Sequence, residues 1–102
     1  MAFHRGPDGL CVHAGLDPGV EHIEHQSDQA LIWGVSGFPE NYAGAEVVAY
    51  GHRNNAVLDA EGWPRPRLVG TTIGLDTISH GVLTAVRLND RCVFQSGRHT
   101  MP

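Results

Sequence analysis

The chain has 102 residues, of which 41% are apolar and 18% charged, so it is expected to form a single soluble globular domain rather than a fibrous or disordered protein. Its formal charge of −4 combines seven arginines with no lysine, which provides no basic stripe for binding nucleic acid. No apolar run approaches the roughly 20 residues of a membrane span, and the N-terminus lacks the apolar core of a signal peptide. We therefore expect a cytoplasmic protein with neither nucleic-acid nor membrane partners.

The N-terminal residues carry a turn signal, Gly6-Pro7-Asp8-Gly9, ahead of the first apolar run. We therefore expect residues 1–9 to be flexible, because chain ends without apolar anchors are poorly ordered. The folded domain is predicted to span 10–96, and residues 97–102 are predicted to form a tail.

Two strands and one helix are predicted in the first half of the chain. Leu10–His13 and Glu46–Tyr50 are short apolar runs of strand length. Ser27 is a candidate N-cap for a short helix that ends at Trp33. Residues 34–44 contain glycines and a proline, which favours an irregular loop.

The second half is predicted to be almost entirely β-structure. Residues 56–58 and 67–69 are expected to flank a turn rich in glycine and proline, as the two arms of one β-excursion. Three further strands are predicted, with a tight turn at Asn89-Asp90 between the last two: Thr72–Leu75, Val82–Leu88 and Arg91–Gln95. The predicted fold class is therefore α+β, mostly β, with one or two short helices.

Two histidines follow apolar strands and are the best functional signal in the sequence. His13 ends the run that begins at Leu10, and His52 follows Val47–Gly51. The carboxyl edge of a sheet is where open α/β folds build their sites, and imidazole is a common metal ligand. The pair therefore predicts part of a metal centre.

Ordered segments along the chain resemble the calcineurin-like metallophosphoesterases, especially the branch of bacterial protein phosphatases and diadenosine tetraphosphatases. The resemblance covers Leu10 to Ser96, nearly the whole chain. The segments that carry it are VHAGLDP (12–18), LIWG (31–34), VVAYGH (47–52), IGLDT (73–77), HGVLTAVRL (80–88) and VFQS (93–96).

The resemblance implies that His13 and His52 bind the same ion of a two-metal site, which would be zinc, manganese or iron. The family's other ligands and its catalytic histidine come from upstream G-D-x-H-G, G-D-x-x-D-R-G and G-N-H-E/D elements, which this sequence lacks. The chain thus resembles the C-terminal half of a metallophosphoesterase β-sandwich. We expect a truncated metal-dependent hydrolase that acts on activated small-molecule phosphoesters through a metal-bound hydroxide. The alternative is an inactive self-associating fragment, or half of a split phosphatase that needs its N-terminal half.

Other residues are candidates for completing such a site. Asp76 is a candidate metal ligand, although it would equally serve to brace a turn. His80 is a candidate catalytic acid or extra ligand, and its alternative role is a backbone hydrogen bond. Arg53, Asn54 and Asn55 are candidate contacts for a phosphoryl group. A surface position explains the arginine equally well, and a turn explains the two asparagines equally well.

Half of a two-layer fold would leave an apolar face and a strand edge uncovered, and such surfaces favour association. We therefore expect a homo-oligomer, either a dimer or a larger assembly. In a two-fold dimer, the histidine pairs of two subunits could meet in one site or close two sites at one interface.

Overall fold

The structure, a computed structural model, describes residues 3–97 and is built around a five-stranded mixed sheet. It is mostly β with few helices, which confirms the predicted mostly-β class. The strands in chain order are β1 (Phe3–Gly6), β2 (Gly9–Val12), β3 (Val48–Tyr50), β4 (Val57–Leu58), β5 (Pro64–Arg65), β6 (Arg67–Val69), β7 (Thr72–Gly74), β8 (Thr84–Arg87) and β9 (Cys92–Gln95). The one α-helix of this region, α1, is Asp28–Trp33, and short 3-10 turns occur at Ile23–His25 and Ile78–His80.

The central sheet has the order β1-β2-β3-β7-β6. Its three middle strands, β2, β3 and β7, are parallel, whereas β1 and β6 pair antiparallel at the edges. Every residue of β3 and β7 is buried, as expected for central parallel strands that are covered on both faces. Because the middle strands are parallel, the loops that follow them emerge at one edge of the sheet.

The N-terminal segment is ordered in the structure, so the prediction that residues 1–9 are flexible is wrong for 3–9. The turn at Gly6–Gly9 closes a hairpin in which β1 pairs with β2, rather than marking a loose chain end. Phe3 packs against the core, and the Arg5 guanidinium donates two hydrogen bonds of 3.1 Å to the Glu46 carboxylate. Residues 1–2, and the predicted tail beyond residue 97, lie outside the described residues.

Helix α1 begins at the predicted cap and packs on the sheet. The Ser27 hydroxyl accepts a hydrogen bond of 3.1 Å from the Ala30 backbone N–H, which satisfies an otherwise unpaired donor of the first turn. Ala30 and Leu31 face inward and are buried. The helix ends at Gly34, whose φ of 83° lies in a region that glycine adopts without strain.

The main core lies between α1, its neighbouring loops and the sheet. Burying each large aliphatic side chain here contributes about 1.5–3 kcal/mol. Its buried members are Leu10, Val12, Leu16, Ile23, Leu31, Val48 and Tyr50, with Phe3, Phe38 and Tyr42 packed against them. The core therefore fixes the positions of β2 and β3 relative to α1.

The predicted pairing of residues 56–58 with 67–69 is wrong. Strand β4 pairs instead with β5, and β6 pairs with β7. The Asp59 carboxylate accepts hydrogen bonds from the backbone N–H groups of Glu61 and Trp63, at 2.9 and 3.0 Å, and this closes a tighter turn than expected. A second turn at Gly70, with φ of 56°, returns the chain from β6 to β7.

The hairpin of β8 and β9 turns at Asn89-Asp90, as predicted. Its Gln95 side chain links it to the β4–β5 hairpin, because the amide nitrogen donates to the Pro64 carbonyl at 2.7 Å and the amide oxygen accepts from Trp63 Nε1 at 2.9 Å. Within residues 3–97, every helix is too short to cross a membrane.

Candidate functional site

The structure brings His13 and His52 together, as the sequence predicts. Leu10 pairs with Val48 in the parallel register of β2 and β3, so the two strands end side by side. The Gly51 N–H donates to the His13 carbonyl at 2.9 Å, and this bond holds the segments that follow β2 and β3 in contact. His13 Nε2 lies 3.0 Å from His52 Nδ1, and both side chains are exposed.

The separation of these nitrogens suits either a hydrogen bond or a shared metal ion. In the absence of metal, one imidazole donates to the other, and the tautomers decide which. Two nitrogens that bind one tetrahedral zinc, each at about 2.0–2.1 Å, lie about 3.3 Å apart. The pair therefore needs to open by only a few tenths of an ångström to act as two ligands.

His52 adopts an unfavourable backbone conformation. Its φ is 77°, in the left-handed region that costs a non-glycine residue roughly 1–2 kcal/mol. The Trp33 ring, at the end of α1, stands edge-on to the His52 ring with centroids 5.6 Å apart. Strain of this kind concentrates at functional sites, so the backbone of His52 supports a role for its imidazole.

The other predicted ligands do not join the pair. The Asp76 carbonyl accepts a hydrogen bond of 2.8 Å from the Asn55 N–H, so this residue braces the turn after His52. His80 Nε2 lies 3.4 Å from the Asn54 amide nitrogen. Within the described range 3–97, no group of three or more His, Cys, Asp and Glu side chains is placed to hold a metal ion.

A cavity of about 550 Å³ lies between the loop after α1 and the chain that leaves β3, and we call it the wall cavity. It adjoins the histidine pair, since Trp33 and Gly51 form part of its lining. The predicted phosphoryl contacts Arg53 and Asn54 also line it. The full lining is Ala14, Trp33, Gly34, Val35, Ser36, Gly37, Phe38, Pro39, Glu40, Tyr50, Gly51, Arg53, Asn54, Asn55 and Arg67.

Arg53 and Asn54 differ in how firmly they are held. The Asn54 side-chain oxygen accepts a hydrogen bond of 3.1 Å from the Ala56 N–H, so it makes the turn that was one of its two predicted roles. Arg53 is exposed and makes no ion pair within residues 3–97. Its guanidinium is therefore available to an anion at the cavity mouth.

Sequence reasoning named Asn55 as a candidate phosphate contact or turn residue, but it missed two other residues of this region, Trp33 and Tyr50. Tyr50 and Asn55 are buried and line the wall cavity, yet the Tyr50 hydroxyl and the Asn55 amide nitrogen have no hydrogen-bond partner among the described residues. Burial raises the pKa of Tyr50, the Arg67 guanidinium opposes that rise, and the Glu40 carboxylate adds to it. A signal for Tyr50 was present in the sequence, because it lies two positions before His52.

No family model, curated protein or solved structure gives a significant match to the chain. The likeness to metallophosphoesterases therefore rests on the sequence segments described above.

Proposed function

We propose that this chain is a metal-dependent hydrolase of small-molecule phosphoesters, in which His13 and His52 hold one divalent zinc, manganese or iron ion. The observation that carries the proposal is the 3.0 Å approach of the two imidazoles where adjacent parallel strands end. The resemblance to one half of a metallophosphoesterase sandwich agrees with this placement. When bound, such an ion polarises a phosphoryl oxygen and lowers the pKa of water.

The residues around the pair have separate roles in this proposal. Trp33 limits the orientations of the His52 ring by its edge-on contact. Arg53 offsets phosphoryl charge at the cavity mouth. His80 donates a proton to the leaving group, and its contact with Asn54 restrains the ring. Asp76 acts by bracing the turn through its carbonyl.

The remaining metal ligands are proposed to come from a second copy of the chain, in a homo-oligomer. A zinc site takes three or four protein ligands, and the histidine pair supplies two. Large apolar side chains are exposed near the β8–β9 hairpin and favour association: Ile78, Leu83 and Phe94 are each more than half exposed. Two histidine pairs related by a two-fold axis would supply four ligands.

The second candidate is half of a split phosphatase that is inactive alone. It is favoured by the two-ligand count within residues 3–97, because a separate N-terminal half would supply the missing aspartate and asparagine ligands. In that case, the chain can associate with itself but has no catalytic activity until the N-terminal half is present.

The proposal is tested by dialysing the protein against a chelator, restoring zinc or manganese, and measuring bound metal together with turnover of an aryl phosphate. His13→Ala and His52→Ala are each expected to reduce both quantities to background. His25→Ala is the matched control, since it removes another exposed imidazole that contacts a histidine, with ring centroids 5.6 Å apart. Unchanged turnover in both His13→Ala and His52→Ala would exclude this mechanism.

The two candidates differ in what restores activity. For the oligomeric hydrolase, specific activity rises with protein concentration as the chains associate, and light scattering shows the same transition. For the split phosphatase, turnover appears only when an N-terminal half is added.

A further inference from the structure

The wall cavity contains two buried side chains whose polar atoms lack partners within residues 3–97. Tyr50 is 5% exposed and Asn55 is 8% exposed, yet the Tyr50 hydroxyl and the Asn55 Nδ2 make no hydrogen bond there. Most buried polar side-chain atoms in folded proteins are paired, so two such atoms in one wall require an explanation. Both residues line the same cavity, which is large enough for a small organic molecule.

We propose that the wall cavity is a binding pocket for an oxyanion of a small organic molecule, which accepts hydrogen bonds from the Tyr50 hydroxyl and the Asn55 amide and pairs with the Arg53 guanidinium. We take the natural ligand to be a phosphoester, and in this one respect the inference rests on the proposed function. The binding chemistry itself does not, because none of these three groups belongs to the histidine pair.

The sign of the ligand's charge follows from the donors. The Tyr50 side chain is a phenol, and a phenol hydroxyl is a hydrogen-bond donor at neutral pH. The Asn55 Nδ2 is a donor, and Arg53 carries a permanent charge. The other cation of the wall, Arg67, is already paired with Glu40 at 2.7 Å. A cationic ligand would be repelled by Arg53, and a purely apolar ligand would leave both buried donors unpaired.

Neighbouring residues hold the Tyr50 hydroxyl and the Asn55 amide close together. The Phe38 ring packs edge-on against the Tyr50 ring, with centroids 5.0 Å apart. A Cβ on Gly74 would lie 2.8 Å from the Tyr50 hydroxyl oxygen and 2.9 Å from Asn55 side-chain carbons, so both side chains converge beside this glycine. Trp33 lines the same cavity and its ring contacts the His52 ring, which places the pocket next to the candidate metal ligands.

Calorimetric titration of the protein in a chelator tests the pocket without metal or turnover. The probes are phenylphosphonate, inorganic phosphate and benzoate, with benzyl alcohol as the uncharged comparison. We expect saturable binding of phenylphosphonate with a Kd at or below the millimolar range, and none of benzyl alcohol. Relative affinities of phosphate and benzoate identify whether the phosphoryl or the carboxylate chemistry is preferred; tighter binding of benzoate would overturn the phosphoester assignment.

Substitutions separate binding from folding. Tyr50→Phe and Arg53→Gln are each expected to weaken phenylphosphonate binding about tenfold, the scale of a hydrogen bond to a charged group. Tyr50→Phe should leave the thermal unfolding midpoint unchanged, because its hydroxyl bonds to no described residue. The controls are Tyr42→Phe, whose hydroxyl donates to the Glu46 carbonyl at 3.3 Å, and Arg91→Gln, which removes an exposed arginine distant in sequence.

The proposal is overturned if none of the three anions binds, or if Tyr50→Phe and Arg53→Gln both bind phenylphosphonate as tightly as the unmodified chain. Its failure is distinguishable from failure of the proposed function. Anion binding in a chelator without any metal-dependent turnover would refute the hydrolase and support the pocket, whereas turnover that depends on His13 and His52 but without anion binding in the chelator would do the reverse.

Discussion

Replacing His52 by glycine and, in a second variant, by alanine separates the strain in its backbone from the role of its imidazole. Both variants remove the same ring and its contacts with His13 and Trp33, so both should lose metal binding. They differ at φ of 77°, which glycine adopts freely and alanine does not. We therefore expect His52→Gly to be the more stable of the two.

The expected difference can be estimated from the backbone alone. Left-handed φ costs an alanine roughly 1–2 kcal/mol, whereas the extra freedom of glycine in the unfolded chain offsets part of that gain, by roughly 0.5–1 kcal/mol. A net difference of about 1 kcal/mol remains. For a domain of this size, it corresponds to about 4 °C or slightly more in the midpoint of thermal unfolding.

Urea denaturation of the metal-free proteins measures this difference, because both variants have the same charge and nearly the same exposed surface. Arg91 supplies the control, since it also has positive φ, at 57°, but lies in the β8–β9 turn. Arg91→Gly should exceed Arg91→Ala in stability by a similar amount, with metal binding retained. Equal stabilities of His52→Gly and His52→Ala would refute the claim that His52 is strained.

Gly74→Ala should lower both the free energy of unfolding and the affinity for phenylphosphonate, because its new Cβ would lie 2.8 Å from the Tyr50 hydroxyl oxygen. Thermal unfolding and calorimetry measure the two effects, with Gly97→Ala as the comparison because a Cβ there meets nothing within 4 Å. An unaltered affinity would contradict the convergence of the two side chains. Hydrogen bonds from the backbone of Trp63 and Glu61, with a contribution from Arg65, hold the pKa of Asp59 below its ordinary value of 3.8. Its stabilising effect is therefore present above pH 3.8 and is lost as the pH falls through the lower folded-state pKa. Denaturation between pH 6 and pH 2 should show a shallower loss for Asp59→Asn, and parallel curves would show that Asp59 makes no such contribution.

Local chemistry explains which elements were predictable. Ser27 caps α1 because its hydroxyl reaches a backbone N–H only three residues away, and this depends on no distant part of the chain. The turn at Asn89-Asp90 is equally local. The proximity of His13 and His52 was also predictable, because two buried strands that end in turns place their exits at one edge when they pair in parallel.

Tertiary structure decided which strands pair and which side chains share a wall. From the sequence alone, residues 67–69 are equally suited to pair with the strand before or the strand after them. The Asp59 turn pairs β4 with β5, which leaves β6 to pair with β7 at the edge of the sheet. Phe3 lies in a strand because its side chain packs against the core, a contact that depends on distant parts of the chain.

The sequence by itself therefore determined that two imidazoles follow two strands. Only the tertiary structure decided that the candidate site contains two ligands within residues 3–97 rather than three or four. It also decided that Tyr50 and Asn55 line the neighbouring cavity, with no hydrogen bond to the Tyr50 hydroxyl or the Asn55 amide nitrogen. The physical reason is that ligand count and hydrogen-bond satisfaction depend on where side chains from distant segments meet. Periodicity and spacing along the chain record which residues point inward, but not which atoms they meet there.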